Sequence, residues 1–377
     1  MNPLVASSAG STIRALHARR RPTSINLGIG EPTLMPDVAP FERATRWVAE
    51  HGCRYSTNAG DADLREAIAA HYAYPGLDHA DNVCVTTGSQ EAVYVAMKAL
   101  LDPATDEMLL VEPAFPVYAK VAQIEGISLR RVTLGATDDF AFDAEQIVAA
   151  LGPRTRLIVL CSPCNPTGRV ISRAAVDRIV AVLAARGGPP VYVLHDEIYR
   201  EQLYVDDMGE FGRRYPYTIA INSLSKSNAL TGLRIGWVIG PADVMPEIVK
   251  MHGWVTSCAS TFAQRVAFDV FEHDALGAQL SWYRGQRAAA RDLAADAGLR
   301  FVDPDGAFYL CVEVGARDSL AFCNVLLDER DVVAVPGNIF AATLEGWIRT
   351  SFVAPPDTLR EGLRRIAALA KQHVALP

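Results

Sequence analysis

The chain has little of what marks secreted, membrane-spanning or nucleic-acid-binding proteins. Seven cysteines, an odd number, are scattered through 377 residues. That excludes the dense, even framework of a disulfide scaffold, and reduced, mostly buried thiols are expected. Cys161 and Cys164 have the C-x-x-C spacing of redox and zinc sites, but Cys53, Cys84, Cys258, Cys311 and Cys323 supply no second pair. No metal is expected, and the spacing reads as incidental. No window reaches the roughly 18 consecutive apolar residues of a membrane span. The opening MNPLVASSAG also lacks a charged segment leading into an apolar one, so a cytoplasmic protein with no membrane partner is expected. Positive charge is scarce too. The net charge is −7 and the longest basic run is Arg19 to Arg21, which argues against a nucleic-acid partner, because phosphate backbones demand concentrated Lys and Arg.

What is present is apolar material in quantity: 50% of residues are hydrophobic, enough for a large domain with a smaller companion. Short apolar segments alternate with amphipathic ones, the pattern of strands joined by helical crossovers in an α/β fold. Strands are predicted at Asn82 to Thr86, Glu107 to Val111, Leu157 to Cys161, Val191 to Leu194, Thr218 to Asn222 and Gly236 to Ile239. Helices are predicted at Gln90 to Leu101 and Arg173 to Arg186. After about Phe271 the pattern changes to a polar helix from Ser281 to Ala297, a strand region FVDPDGAFYLCVEV and a final helix from Pro356. A large domain is expected at 40–270, and a smaller one from 1–39 with 271–377.

The segment INSLSKSNALTGLRIGWVIG, residues 221 to 240, follows a predicted strand with a serine-framed lysine, Lys226, and an arginine eight residues on, Arg234. A lone lysine in a loop is ordinarily a solvated surface residue. A lysine desolvated beside other positive charge instead has a free lone pair that can form a Schiff base with an aldehyde. Other motifs supply complementary parts. HDEIYREQLY places Asp196 after the strand VYVL, at the end of the sheet where ligands bind, with Tyr199 three residues on. SPCNPTG presents Asn165 on a turn. TTGSQEAV joins a strand to a helix through Gly88, Ser89 and Gln90, where free backbone amides and the helix dipole suit a phosphate. EPAFPVY presents Phe115 between two prolines, IRTSF carries Arg349, and NLGIGEP carries Gly30.

These motifs, in this order from residue 26 to residue 352, resemble those of the class I and II aminotransferases of fold type I, of which aspartate aminotransferase is the type. The resemblance implies a mainly parallel, seven-stranded sheet flanked by helices and a smaller α+β domain. It implies pyridoxal 5'-phosphate as cofactor, joined to Lys226 as a Schiff base, with Asp196 paired to the pyridine nitrogen so that the ring acts as an electron sink. Tyr199 and Asn165 would donate to the phenolic oxygen. Gly88, Ser89, Gln90, Ser223 and Arg234 would hold the phosphate, and Phe115 would stack on the ring. Arg349 would fork onto the substrate α-carboxylate, with Gly30 and Asn165 beside it. YSTNAGDADLREAIA resembles the segment whose tyrosine, here Tyr55, reaches the neighbouring subunit's phosphate, which implies a homodimer with shared sites. The substrates implied are an amino acid and a 2-oxo acid, with Lys226 serving in turn as anchor, base and acid. A lyase, racemase or oxidase on the same fold remains an alternative. A ligand sensor fused to a DNA-binding domain is disfavoured, since about 25 residues precede NLGIGEP.

Overall fold

The structure, a computed structural model, describes residues 1–374. Seven strands build its main sheet: β1 Val83–Thr86, β2 Glu107–Glu112, β3 Ser128–Thr133, β4 Thr155–Cys161, β5 Tyr192–Asp196, β6 Thr218–Ser223 and β7 Gly236–Ile239. Their spatial order is β1-β7-β6-β5-β4-β2-β3. Pairing is parallel from β3 through to β6, while β7 lies antiparallel between β6 and β1.

The central strands are apolar on both faces because helices cover both. Alternation sends Met108, Leu110, Leu157, Val159 and Leu194 to one face, into the core that also holds Val93 and Met97 of helix α1, Ser89–Leu100. Leu109, Val111, Ile158, Leu160 and Val193 point the other way, against Val176 and Ile179 of helix α2, Arg173–Ala185. All six predicted strands form, with ends shifted by a residue or two. The strand expected at Val191 to Leu194 runs on through Asp196, which is therefore its last residue.

The seventh strand, β3, was not anticipated. It is a sheet edge, and its Arg130 and Arg131 stay exposed while pairing with Glu107 and Glu112 of β2. Charge at an edge blocks further strand pairing and at the same time hides the strand from an apolar-run criterion.

A second, antiparallel sheet comprises β8 Phe301–Val302, β9 Tyr309–Glu313, β10 Val335–Pro336 and β11 Trp347–Ser351, in the order β10-β11-β9-β8. Helices α3, Leu280–Asp296, and α4, Pro356–Val374, accompany it. The N-terminal segment joins this part of the chain: Ile25–Asn26 pairs in parallel with Val332–Val333, and Ser351 N–H donates to the Leu27 carbonyl at 2.7 Å. No helix among the described residues is long and apolar enough to cross a membrane.

Candidate active site

A cavity of about 910 Å³ opens where the C-terminal ends of β4, β5 and β6 meet the N-terminal segment and β11. Gly30, Ser89, Gln90, Phe115, Asn165, Asp196, Tyr199, Lys226, Arg234 and Arg349 all line it.

Lys226 belongs to the single helical turn Leu224–Ser227 that ends β6. Its Nζ donates to the Gly30 carbonyl at 2.5 Å. Burial pushes its ammonium down to about 8; Arg349, Arg234 and Arg14 push the same way and Glu31 opposes. About a tenth of the amine is thereby unprotonated at pH 7, far more than for an ordinary lysine, which favours a nucleophilic role. The carbonyl that holds it depends on a close approach, because a Cβ on Gly30 would fall 2.0 Å from the Tyr309 hydroxyl.

Asp196 is fully enclosed. Tyr118 Oη donates to its Oδ2 at 2.6 Å and Ile198 N–H to its Oδ1 at 3.1 Å. Burial pushes the carboxyl up to about 6, against the lowering effect of those two donors. Its sequence neighbours fasten it. Glu197, with no exposed surface, lies 2.9 Å from His195 Nδ1, accepts from the Tyr74 hydroxyl at 3.0 Å and pairs with Arg200 at 3.0 Å. Burial raises the Glu197 carboxyl, but His195 and Arg200 outweigh it and hold it down to about 2.

Arg349 is 2% exposed and reaches the cavity from β11. It donates through Nη1 to Asn165 Oδ1 at 2.9 Å and through Nη2 to the Gly28 carbonyl, and its guanidinium lies 4.3 Å from the Tyr309 ring centre. Its buried Nε has no partner among the described residues, an open donor. Because Asn165 accepts from Arg349 through its oxygen, its amide nitrogen is left to donate. Tyr199 and Tyr309 hold their hydroxyls 2.9 Å apart.

At the start of α1, Gly88 takes φ +83°, and a Cβ there would lie 2.3 Å from Arg234 Nη2. Glycine is required for the guanidinium to close over the Ser89 end of the helix. Arg234 is held by the carbonyls of Thr231 and Thr87.

Three expected residues are not in the lining. Gly88 lies behind Ser89 and shapes the wall by lacking a side chain. The Ser223 hydroxyl is buried and accepts from Ser225 N–H at 3.2 Å, so Ser225 faces the cavity in its place. Tyr55, expected at the neighbouring subunit's site, is 89% exposed and does not line this cavity. Conversely, Tyr118, Tyr309, Glu31 and Lys120 line the cavity without having been anticipated, and Arg14 lines it beside them. Tyr118 carried a local signal, one helical turn after Phe115 in EPAFPVY. The thiols of Cys161 and Cys164 donate to the carbonyls of Pro163 and Pro113, and burial pushes both up. They are inert packing groups.

Residues 22–366 match the family model described as aminotransferase class I and II. The chain belongs to the class I and II aminotransferases. Members of this family are pyridoxal-phosphate-dependent transferases, and this aminotransferase is an enzyme of that kind. It is 34% identical to a probable N-acetyl-LL-diaminopimelate aminotransferase of Bacillus subtilis over 91% of this chain and 88% of the relative. Its identity to an aspartate aminotransferase of Pyrococcus horikoshii is 31%, over 94% and 93% respectively. Among solved structures, the aspartate aminotransferase of Thermotoga maritima superposes with a TM-score of 0.89 at 28% identity, covering 98% of this chain and 99% of that one. The mixed sheet flanked by helices is the fold of those structures.

Proposed function

We propose that this aminotransferase moves an amino group between an amino acid and a 2-oxo acid, with Lys226 as covalent anchor and proton carrier. The observation that carries the reading is the convergence of Lys226, Asp196 and Arg349 on one cavity, with the lysine depressed and the carboxyl buried. The donor set fits pyridoxal 5'-phosphate, with a glycine cradle closed by Arg234 and a carboxylate at the end of β5, and the open Arg349 Nε is left for the substrate. When bound, that group supplies an electron sink for the pair left at Cα.

The roles follow from chemistry. Ser89, Gln90, Arg234 and the Ser223 turn hold the phosphate, with Gly88 making room. Asp196 keeps the ring nitrogen protonated, Asn165 and Tyr199 donate to the phenolic oxygen, and Phe115 covers a ring face. Arg349 orients the substrate carboxylate, assisted by Asn165 and the backbone at Gly30. Lys226, once displaced by substrate, takes the α-proton and returns it.

The same proposal includes a homodimer in which Tyr55 of the partner subunit completes each phosphate site. Tyr55 and Trp254, 89% and 84% exposed, lie on segments tied by Asn58 Nδ2 donating to the Ser257 carbonyl at 2.6 Å, and large exposed aromatics on joined segments support an association surface. It also takes 40–270 as the cofactor-holding domain, with 1–39 and 271–377 as the smaller one. Seven unbridged cysteines fit a reducing compartment such as the cytoplasm.

Incubating the holoenzyme with amino acids and 2-oxoglutarate tests the reaction. A new amino acid is expected; release of pyruvate and ammonia instead would identify a lyase. Lys226→Ala is expected to abolish turnover and the visible absorbance of the bound cofactor, and a variant that transaminates at the full rate would refute the assignment.

A further inference from the structure

Helix α1 begins without a side-chain cap. Its N-cap residue is Gly88, which has no side chain to offer, and the Gly88 N–H turns back to the Thr86 carbonyl at 2.9 Å. A helix start is ordinarily held by a polar side chain folded over its first free amides. Such a cap would occupy the amides that an anion needs. Glu91, the third residue of the helix, supplies a restraint of another kind. Its Oε2 accepts from the Thr87 N–H at 2.5 Å, one residue ahead of the N-cap, and its Oε1 lies 3.0 Å from His252 Nδ1. Glu91 does not line the cavity, whereas Ser89 and Gln90 do.

His252 belongs to the helix Met245–Thr256, whose Met245 and Ile248 enter the same core as Val93 and Met97 of α1. It has no exposed surface, and its Nε2 has no partner among the described residues. A neutral imidazole has one N–H, and only Nδ1 has an acceptor, so the proton sits there and is donated to Glu91. Burial alone would raise the Glu91 carboxyl, but the bonds from His252 and Thr87 outweigh it and hold it below the usual carboxylate range. Thr87 is gripped at its other end by Arg234, whose Nη2 donates to the Thr87 carbonyl at 3.5 Å. We infer that Glu91, braced by His252, is a positioning residue for the phosphate turn: it fixes Thr87 so that the amides that follow and the Arg234 guanidinium stand ready for the cofactor phosphate. The inference rests on the reading proposed above for Ser89, Gln90 and Arg234, and Glu91 acts through Thr87 without touching the ligand.

Pyridoxal 5'-phosphate and pyridoxal, which lacks the phosphate, separate this role from a general structural one. The experiment measures by visible absorbance the dissociation constants of both from the cofactor-free, full-length enzyme. It compares the wild type with Glu91→Ala, Glu91→Gln, His252→Ala and the Glu91→Ala/His252→Ala double variant, and thermal unfolding of each shows whether the fold is intact. The wild type should bind the phosphorylated form far more tightly. Glu91→Ala should reduce that preference at least about tenfold, the effect of losing a charge-assisted hydrogen bond, with pyridoxal affinity nearly unchanged. His252→Ala should reduce it less, by about threefold, and the double variant no further than Glu91→Ala, because the two residues act in series. Glu91→Gln, whose amide oxygen still accepts from Thr87, should recover most of it. An equal loss for both ligands in Glu91→Ala, or additive losses in the double variant, would overturn the inference. Should Glu91→Ala not fold, His252→Ala decides alone, and an unchanged preference there would overturn the inference in the same way. A wild type that binds pyridoxal as tightly as its phosphate would instead bring down the reading of the phosphate site beneath it.

Discussion

Replacing Tyr118 by phenylalanine removes one oxygen atom from a buried pair and leaves the ring in place. The lost contact is an O–H donating to a carboxylate at 2.6 Å with both partners enclosed. Hydrogen bonds to charged groups contribute about 1.5–3 kcal/mol. At about 1.4 kcal/mol for each step of one on the pH scale, losing this one lifts the Asp196 carboxyl by roughly one to two. In the native protein that carboxyl is already pushed up to about 6 by burial, so the variant's carboxyl titrates through neutrality. The sign follows directly. In the cofactor-free protein Asp196 must be ionised to receive the protonated ring nitrogen, so cofactor affinity is lost as pH falls through its titration, and raising that titration moves the acidic limb upward. The Tyr118→Phe profile of cofactor affinity against pH should therefore have its acidic limb displaced upward by about one to two on the pH scale. Cofactor affinity at pH 7 should fall roughly two- to tenfold while recovering at alkaline pH. The absorbance of the bound cofactor, titrated without substrate, checks the same displacement independently of turnover. An acidic limb and a titration both coincident with the wild type would refute the argument that Tyr118 tunes Asp196.

Two further expectations concern stability. Burial holds the Lys226 ammonium down to about 8, so its charge destabilises the cofactor-free fold fully below that pH, and the penalty disappears as pH rises toward the ordinary lysine range. Cofactor-free Lys226→Met should thus be more stable than the wild type at pH 7, by at most about 3 kcal/mol, with the difference in Tm closing by pH 10; a constant difference would refute the electrostatic origin. Glu197→Gln removes one of the two carboxylates that pair with Arg200, leaving Glu210, and losing a charge-assisted contact in a buried network costs about 1.5–3 kcal/mol. Chemical denaturation should show a loss of that order, and a change below about 0.5 kcal/mol, the scatter of surface substitutions, would show the network to be idle.

The parts of this molecule legible in the sequence are those whose cause is local. Central strands such as Leu157–Cys161 stand out because helices cover both of their faces. Lys226, Asp196 and Asn165 stand out because each sits in the few residues that leave a strand, where turn chemistry presents side chains to a ligand. Strand Ser128–Thr133 was illegible because an edge strand carries an arginine on each face, Arg130 and Arg131, and has Val132 as its one fully buried residue. Tyr309 meets Tyr199 across 110 positions of chain, and Arg14 arrives from an unremarkable amphipathic turn. Neither position could be placed without knowing how the second sheet docks. The exchange of Ser223 for Ser225 in the lining turns on one hydroxyl capping its own helical turn, a choice made by backbone geometry and not by residue type.

The pairing of Ile25–Asn26 with Val332–Val333, and the bond from Ser351 to Leu27, bear on biosynthesis. The seven-stranded sheet has all its strands once residue 239 has been translated, yet the backbone that fixes Gly28 and Gly30 is clasped by residues beyond 330. A nascent chain on the ribosome can therefore fold its scaffold while its N-terminal segment waits, unanchored, for the last strand to emerge. Completion of this wall of the cavity waits until Ile25 to Leu27 meets Val332 to Ser351, so a chain halted before residue 330 would lack the backbone that holds Gly28 and Gly30 in place.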